Sequence, residues 1–81
     1  MPDRAATLQR QFGQTLRTER IAQQLTQQDV AFGADLSLTY VGEIERGQRM
    51  VSLDTLLRLA GALRMSAAEL LTKAKLSGER K

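Results

Sequence analysis

The sequence predicts an all-α domain of five short helices. Three observations carry that expectation. Apolar residues recur at helical spacing from Leu8 onward, four Ser or Thr residues stand at N-cap positions in front of such runs, and no segment reads as a convincing strand. The first helix is expected from about Ala5 to Gln23, where Leu8, Phe12 and Leu16 fall at i, i+4 and i+8 and form one stripe facing a core. Thr26 caps the second, with Asp29 three positions on, beside the positive end of the helix; Val30, Ala31 and Ala34 form its inner face, and it stops near Gly33 or Ala34. Ser37 caps a third, barely three turns long, with Val41 and Ile44 inward and Gly47 as its stop. Ser52 caps the fourth, with Leu53, Leu56, Leu57, Ala60 and Leu63 on a broad apolar face. Ser66-Ala67-Ala68-Glu69 has the spacing of a capping box and opens the fifth, through Leu70 and Leu71.

The 81 residues make one domain, with a core over about 8–72 and a polar tail over about 76–81 that is expected to fray. A chain of this size buries only about 60% of its unfolded surface, so its margin of stability is small. There is no Cys and no His. That removes disulfides, thiol nucleophiles, imidazole bases and the usual zinc ligands, so neither an enzyme nor a metal or cofactor site is expected. The first residues lack the apolar run of a signal peptide and no stretch approaches the roughly 20 apolar residues that span a bilayer. The expected location is the cytoplasm, on the nucleoid when bound to DNA.

Net charge is +3 with a sequence pI near 10.0, which mildly favours an anionic partner. Its distribution is uneven: residues 1–24 carry +2, residues 25–47 carry −3 and residues 48–81 carry +4. A grip on phosphate must therefore come from the first helix, the corner from Arg46 to Arg49, and free N–H groups at helix starts.

Only Ala34-Asp35-Leu36 separates the second helical pattern from the cap of the third. So tight a joint fixes the angle between two helices. A helix-turn-helix needs a small residue where the helices cross, a turn position tolerant of positive φ, and apolar wedges. Ala31, Asp35 and the set Val30, Ala34, Leu36, Val41 and Ile44 meet those needs. Asp replaces Gly at the turn, at a cost of about 1 kcal/mol.

The runs Leu25-Thr26-Gln27, Ala31, Leu36-Ser37, Thr39-Tyr40-Val41-Gly42, Ile44-Glu45-Arg46-Gly47 and Val51-Ser52-Leu53 resemble the phage-repressor and Cro-like (XRE-type) helix-turn-helix family over roughly residues 8–72. The stretch from Thr39 to Gly47 followed by Val51-Ser52-Leu53 is especially similar to the controller proteins of restriction-modification systems. Asp35 in place of the usual turn Gly, and Gln24 where Gly often ends the first helix, depart from the pattern. The resemblance implies a compact, lambda-repressor-like five-helix DNA-binding domain, a regulator of transcription in which the third helix enters the major groove.

On that resemblance Leu38, Thr39 and Glu43 meet base edges: Leu38 against a thymine methyl, Thr39 through hydroxyl or methyl, and Glu43 accepting from a cytosine amino group. Arg17, Gln27, Ser37, Tyr40, Arg46, Gln48 and Arg49 are the expected phosphate contacts, Gln27 by analogy with the family. The resemblance further implies an inward ion pair between Arg20 and Glu45. One three-turn helix reads too few base pairs to find one site in a genome, so a homodimer on a palindromic double-stranded operator is expected. Leu63, Met65, Leu70, Leu71 and Leu76 exceed what a small core needs and are the expected seam. No small-molecule effector site and no membrane partner is evident. The alternative is an antitoxin-type or partner-binding module that uses the same fold to hold a protein.

Overall fold

The computed structural model describes residues 3–76. The predicted tail residues 77–81 lie outside the described residues. The described chain forms five helices, α1 (Arg4–Ala22), α2 (Gln27–Ala34), α3 (Leu38–Glu45), α4 (Leu53–Ala62) and α5 (Ala67–Lys73), and no strand among the described residues. Every N-cap is a short polar side chain that accepts a backbone N–H: Asp3 from Ala5, Thr26 from Asp29, Ser37 from Tyr40, Ser52 from Thr55 and Ser66 from Glu69. The boxes at Thr26/Asp29 and Ser66/Glu69 are both closed reciprocally.

The helix ends follow one rule that is only partly visible in the sequence. Gln24, Asp35, Gly47, Arg64 and Lys75 have φ between 58° and 75°. After each, the next N–H reaches back five residues: Leu25 to Arg20 O, Leu36 to Ala31 O, Gln48 to Glu43 O, Met65 to Ala60 O and Leu76 to Leu71 O, at 2.8–3.0 Å. This is the Schellman closure, in which a left-handed residue turns the chain and the one after it covers the helix end. Leu25, Leu36, Met65 and Leu76 are those covering residues and pack, half-buried, against the core. Four non-glycine residues in the left-handed region are tolerated because each closes a helix whose last carbonyls would otherwise be orphaned.

Leu16, Val30, Val41, Ile44, Leu59, Leu63 and Leu70 are fully buried, with Phe12, Ala31 and Ala34 beside them. α1 packs on α3 and α5, α2 on α3 and α4, and α4 on α5. Gly13 is where α1 and α3 touch: a Cβ there would collide with the Ile44 carbonyl and come within 2.9 Å of the Glu45 oxygen. A mid-helix glycine costs about 1 kcal/mol against alanine, and this backbone contact is what it makes possible.

Two expectations need correction. On α4 the inward stripe is Leu56, Leu59, Ala60 and Leu63, whereas Leu53 is 79% and Leu57 61% exposed. Two leucine sets on that helix each have helical spacing, and the core took the one that includes Leu59. Two residues of the expected dimer seam, Leu63 and Leu70, are also misplaced. Leu63 and Leu70 have no exposed surface to offer, Met65 and Leu76 cover the ends of α4 and α5, and Leu71 is half-buried against the same core.

Candidate DNA-reading face

The joint between α2 and α3 is set by Asp35, whose φ of 58° and ψ of 50° place it in the left-handed region. Arg58 of α4 donates to the Asp35 carbonyl at 3.3 Å and pairs with Asp54 one turn earlier at 3.0 Å, so the turn is strapped to the helix beneath it. Arg58 was not among the residues expected at this site. Its i, i+4 spacing from Asp54 is the signal that could have found it.

Below the joint lies a buried polar network. Arg20 Nε and Nη2 donate to the two Glu45 oxygens at 2.7 and 3.0 Å in a bidentate pair, and Nη1 donates to the Leu25 carbonyl in the connection between α1 and α2. Both residues are 8% exposed. The hydrogen bonds to Glu45 raise the Arg20 pKa above its ordinary value against the opposing effect of burial, and the attraction of the Glu45 charge adds to them. Gln27 Nε2 donates to Glu45 Oε1 at 3.0 Å, which ties the first residue of α2 to the last of α3. Among the described residues no buried side-chain polar atom lacks a partner. Arg20, Glu45 and Gln27 thus hold α1, α2 and α3 as one body.

With its inner face fixed by Val41, Ile44 and Glu45, α3 presents the opposite face to solvent. Leu38 is 48% exposed, Thr39 is exposed, and Glu43 lies one turn beyond Thr39. Ser37 is exposed and its Oγ caps the helix. Arg17 of α1, Arg46, Gln48 and Arg49 are exposed, and Tyr40 on α3 is half-buried. Arg46 Nε donates to Gln48 Oε1 at 3.3 Å. The Arg46 guanidinium and the Gln27 amide oxygen both approach Gly42, whose missing side chain leaves room for them. Arg49 Nη1 donates to Glu43 Oε1 at 3.0 Å and its Cζ lies 5.0 Å from the centre of the Tyr40 ring.

A bundle of five helices with a three-residue joint and an outward third helix is the geometry of a helix-turn-helix. The helix-turn-helix family model HTH_3 matches residues 16–70. The chain belongs to this family. As a helix-turn-helix protein it is a DNA-binding regulator of transcription. It is 41% identical over 61 residues to the control protein C.BamHI of Bacillus amyloliquefaciens, covering 74% of this chain and 75% of that one. It is 39% identical over 68 residues to the control protein C.SmaI of Serratia marcescens, covering 84% and 81%. The restriction-modification controller protein C.AhdI of Aeromonas hydrophila has a crystal structure that superposes with a TM-score of 0.75 at 48% identity, over 76% of this chain and 94% of that one.

No described helix is long and apolar enough to cross a membrane, and no group of described His, Cys, Asp or Glu residues is placed to hold a metal ion.

Proposed function

We propose that this helix-turn-helix protein is a restriction-modification controller that binds a palindromic operator as a homodimer, with α3 in the major groove. Leu38, Thr39 and Glu43 read base edges. Arg17, Gln27, Ser37, Tyr40, Arg46, Gln48 and Arg49 contact the strands on either side. One observation carries this reading: α3 is anchored through Glu45, Val41 and Ile44 while Leu38 and Thr39 remain uncovered at its start. Recognition helices present their N-terminal residues to base edges in this way. The likeness to C.AhdI, C.BamHI and C.SmaI supports the controller role.

Gln27 keeps one amide hydrogen for a phosphate after donating the other to Glu45. The proposed dimer seam leaves out the buried Leu63 and Leu70, keeps Leu71 and Leu76, which line a groove with Leu56, and adds the exposed Leu53 and Leu57 on α4 with Met50 before it. To read two half-sites on one face of the duplex, the two copies must hold their α3 helices about 34 Å apart, one turn of the duplex. Mobility shifts on fragments selected from a random duplex pool, with competitor DNA, test the binding. A two-fold symmetric footprint is the expected result, and an asymmetric footprint or no selected sequence contradicts it. Sedimentation of a Leu53→Asp, Leu57→Asp variant as a monomer, where the parent sediments as a dimer, tests the seam.

The alternative, a module that holds a protein partner, is favoured by Phe32 of α2, which is 90% exposed. A Phe32→Ser variant that binds DNA normally but fails to regulate in cells would support it.

A further inference from the structure

Arg49 is expected to contact phosphate, yet its guanidinium is directed at the reading helix. Nη1 donates to Glu43 Oε1 at 3.0 Å, and the cation lies 5.0 Å from the Tyr40 ring centre. Glu43 and Tyr40 lie three residues apart on α3, and Arg49 follows the Gly47 turn that ends it. The turn brings the chain back so that the guanidinium touches both side chains. A carboxylate needs such a neighbour here. On the approach to a duplex an unpaired Glu43 is repelled by the phosphates on both sides of the groove, and it is free to take several rotamers. A cation held against it cancels the repulsion, and a cation stacked on an aromatic ring is itself restrained.

We propose that Arg49 is a positioning residue for base readout: it holds the Glu43 carboxylate in the one orientation that accepts from a base, while Tyr40 restrains Arg49. This rests on the reading that Glu43 meets a base edge. Arg49 has five donors and gives one to Glu43, so the remaining N–H groups can still reach the adjacent phosphate. Arg49 then couples the strand contact to the base contact, and discrimination at the base pair facing Glu43 belongs to Glu43, Arg49 and Tyr40 together.

The test is a double-mutant cycle read as sequence preference. The full chain, with Glu43→Gln, Arg49→Ala, both together, or Arg49→Lys, selects fragments from a random duplex pool, and the bound fragments are sequenced. Glu43→Gln is expected to relax preference at one base pair in each half-site. Arg49→Ala should relax the same base pair, by about tenfold, and the double variant should relax it no further than either single one. Arg49→Lys keeps the charge but not the planar fork, so it should keep the salt dependence of the parent and lose preference at that position. If Arg49→Ala weakens all sequences evenly, with the ranking of bases intact, Arg49 is a phosphate contact only and the positioning role is overturned. If Glu43→Gln leaves every preference unchanged, the Glu43 base contact fails first and takes this inference with it. Melting curves superimposable on the parent's identify a folded variant. Arg49→Lys, the milder change, decides between the two roles if Arg49→Ala does not fold.

Discussion

The two faces of α3 carry the same chemistry to opposite ends. Each holds a glutamate paired with an arginine from outside the helix. On the inner face Glu45 meets Arg20 in a bidentate pair with both side chains almost covered, and Gln27 supplies a further donor. On the outer face Glu43 meets Arg49 through one hydrogen bond, with the guanidinium half exposed. Burial makes the first pair indispensable to the fold, since removing either partner strands a charge away from water. Exposure makes the second almost worthless to stability and leaves it free to meet a ligand. Rigid chemistry on one side of this helix holds the other side still.

Substitutions should separate the faces by magnitude. Arg20→Ala is expected to cost about 3–5 kcal/mol, enough to lower the melting temperature of a domain this size by more than about 10 °C. A shift of only a few degrees would place the inner pair on a par with the outer one and end the contrast. Gly13→Ala drives a methyl into the backbone of α3 from the same side, and should cost about 1–3 kcal/mol through the displacement of that helix. Because the displaced element is α3, its loss of DNA affinity should exceed that of an equally destabilising change in α5. Ser37→Ala removes the cap between the two faces and should cost about 1 kcal/mol by thermal or denaturant melting. Arg49→Ala should change stability by less than about 1 kcal/mol.

The smallest expected effect is one of pH. The Thr26 N–H and hydroxyl bond to Asp29 in the box that opens α2, and these bonds hold the Asp29 carboxyl below its ordinary value. A depressed folded value means that the box contributes fully above the unfolded pKa of about 3.9 and is lost as pH falls through the folded one. Asp29→Asn should therefore lower stability slightly on the neutral side, where the charged box is intact, and its profile should converge with the parent's as pH falls. Parallel acid profiles for parent and variant would contradict this.

The order of helices and four of their starts were legible because capping is local: Thr26, Ser37, Ser52 and Ser66 act within three residues of themselves. Asp35 could be read for the same reason, as the left-handed region is a property of one residue and its neighbours. What failed was long-range. Leu53 and Leu57 are spaced like a core stripe, and only the docking of α4 on α2 decides that Leu59 goes inside and they do not. Leu63 and Leu70 looked surplus because the capacity of the core is set by how five helices meet. Gly13 drew no attention, since a glycine in a helix announces a close contact without naming its partner. The pair of Arg49 with Glu43 was invisible for a different reason: it forms across a turn, between residues expected to look toward DNA independently.

On the proposed reading, the outer face of α3 reads sequence while the rest of the domain holds it in place. The direct measurement is a mobility shift with the Leu38→Ala, Thr39→Ala, Glu43→Gln triple variant, on selected and on random duplexes, beside its melting curve. The expected result is a melting temperature within a few degrees of the parent's, affinity for random DNA no lower than the parent's, and selected fragments bound no more tightly than random ones. A folded triple variant that still prefers the selected fragments as strongly as the parent would place the reading surface elsewhere.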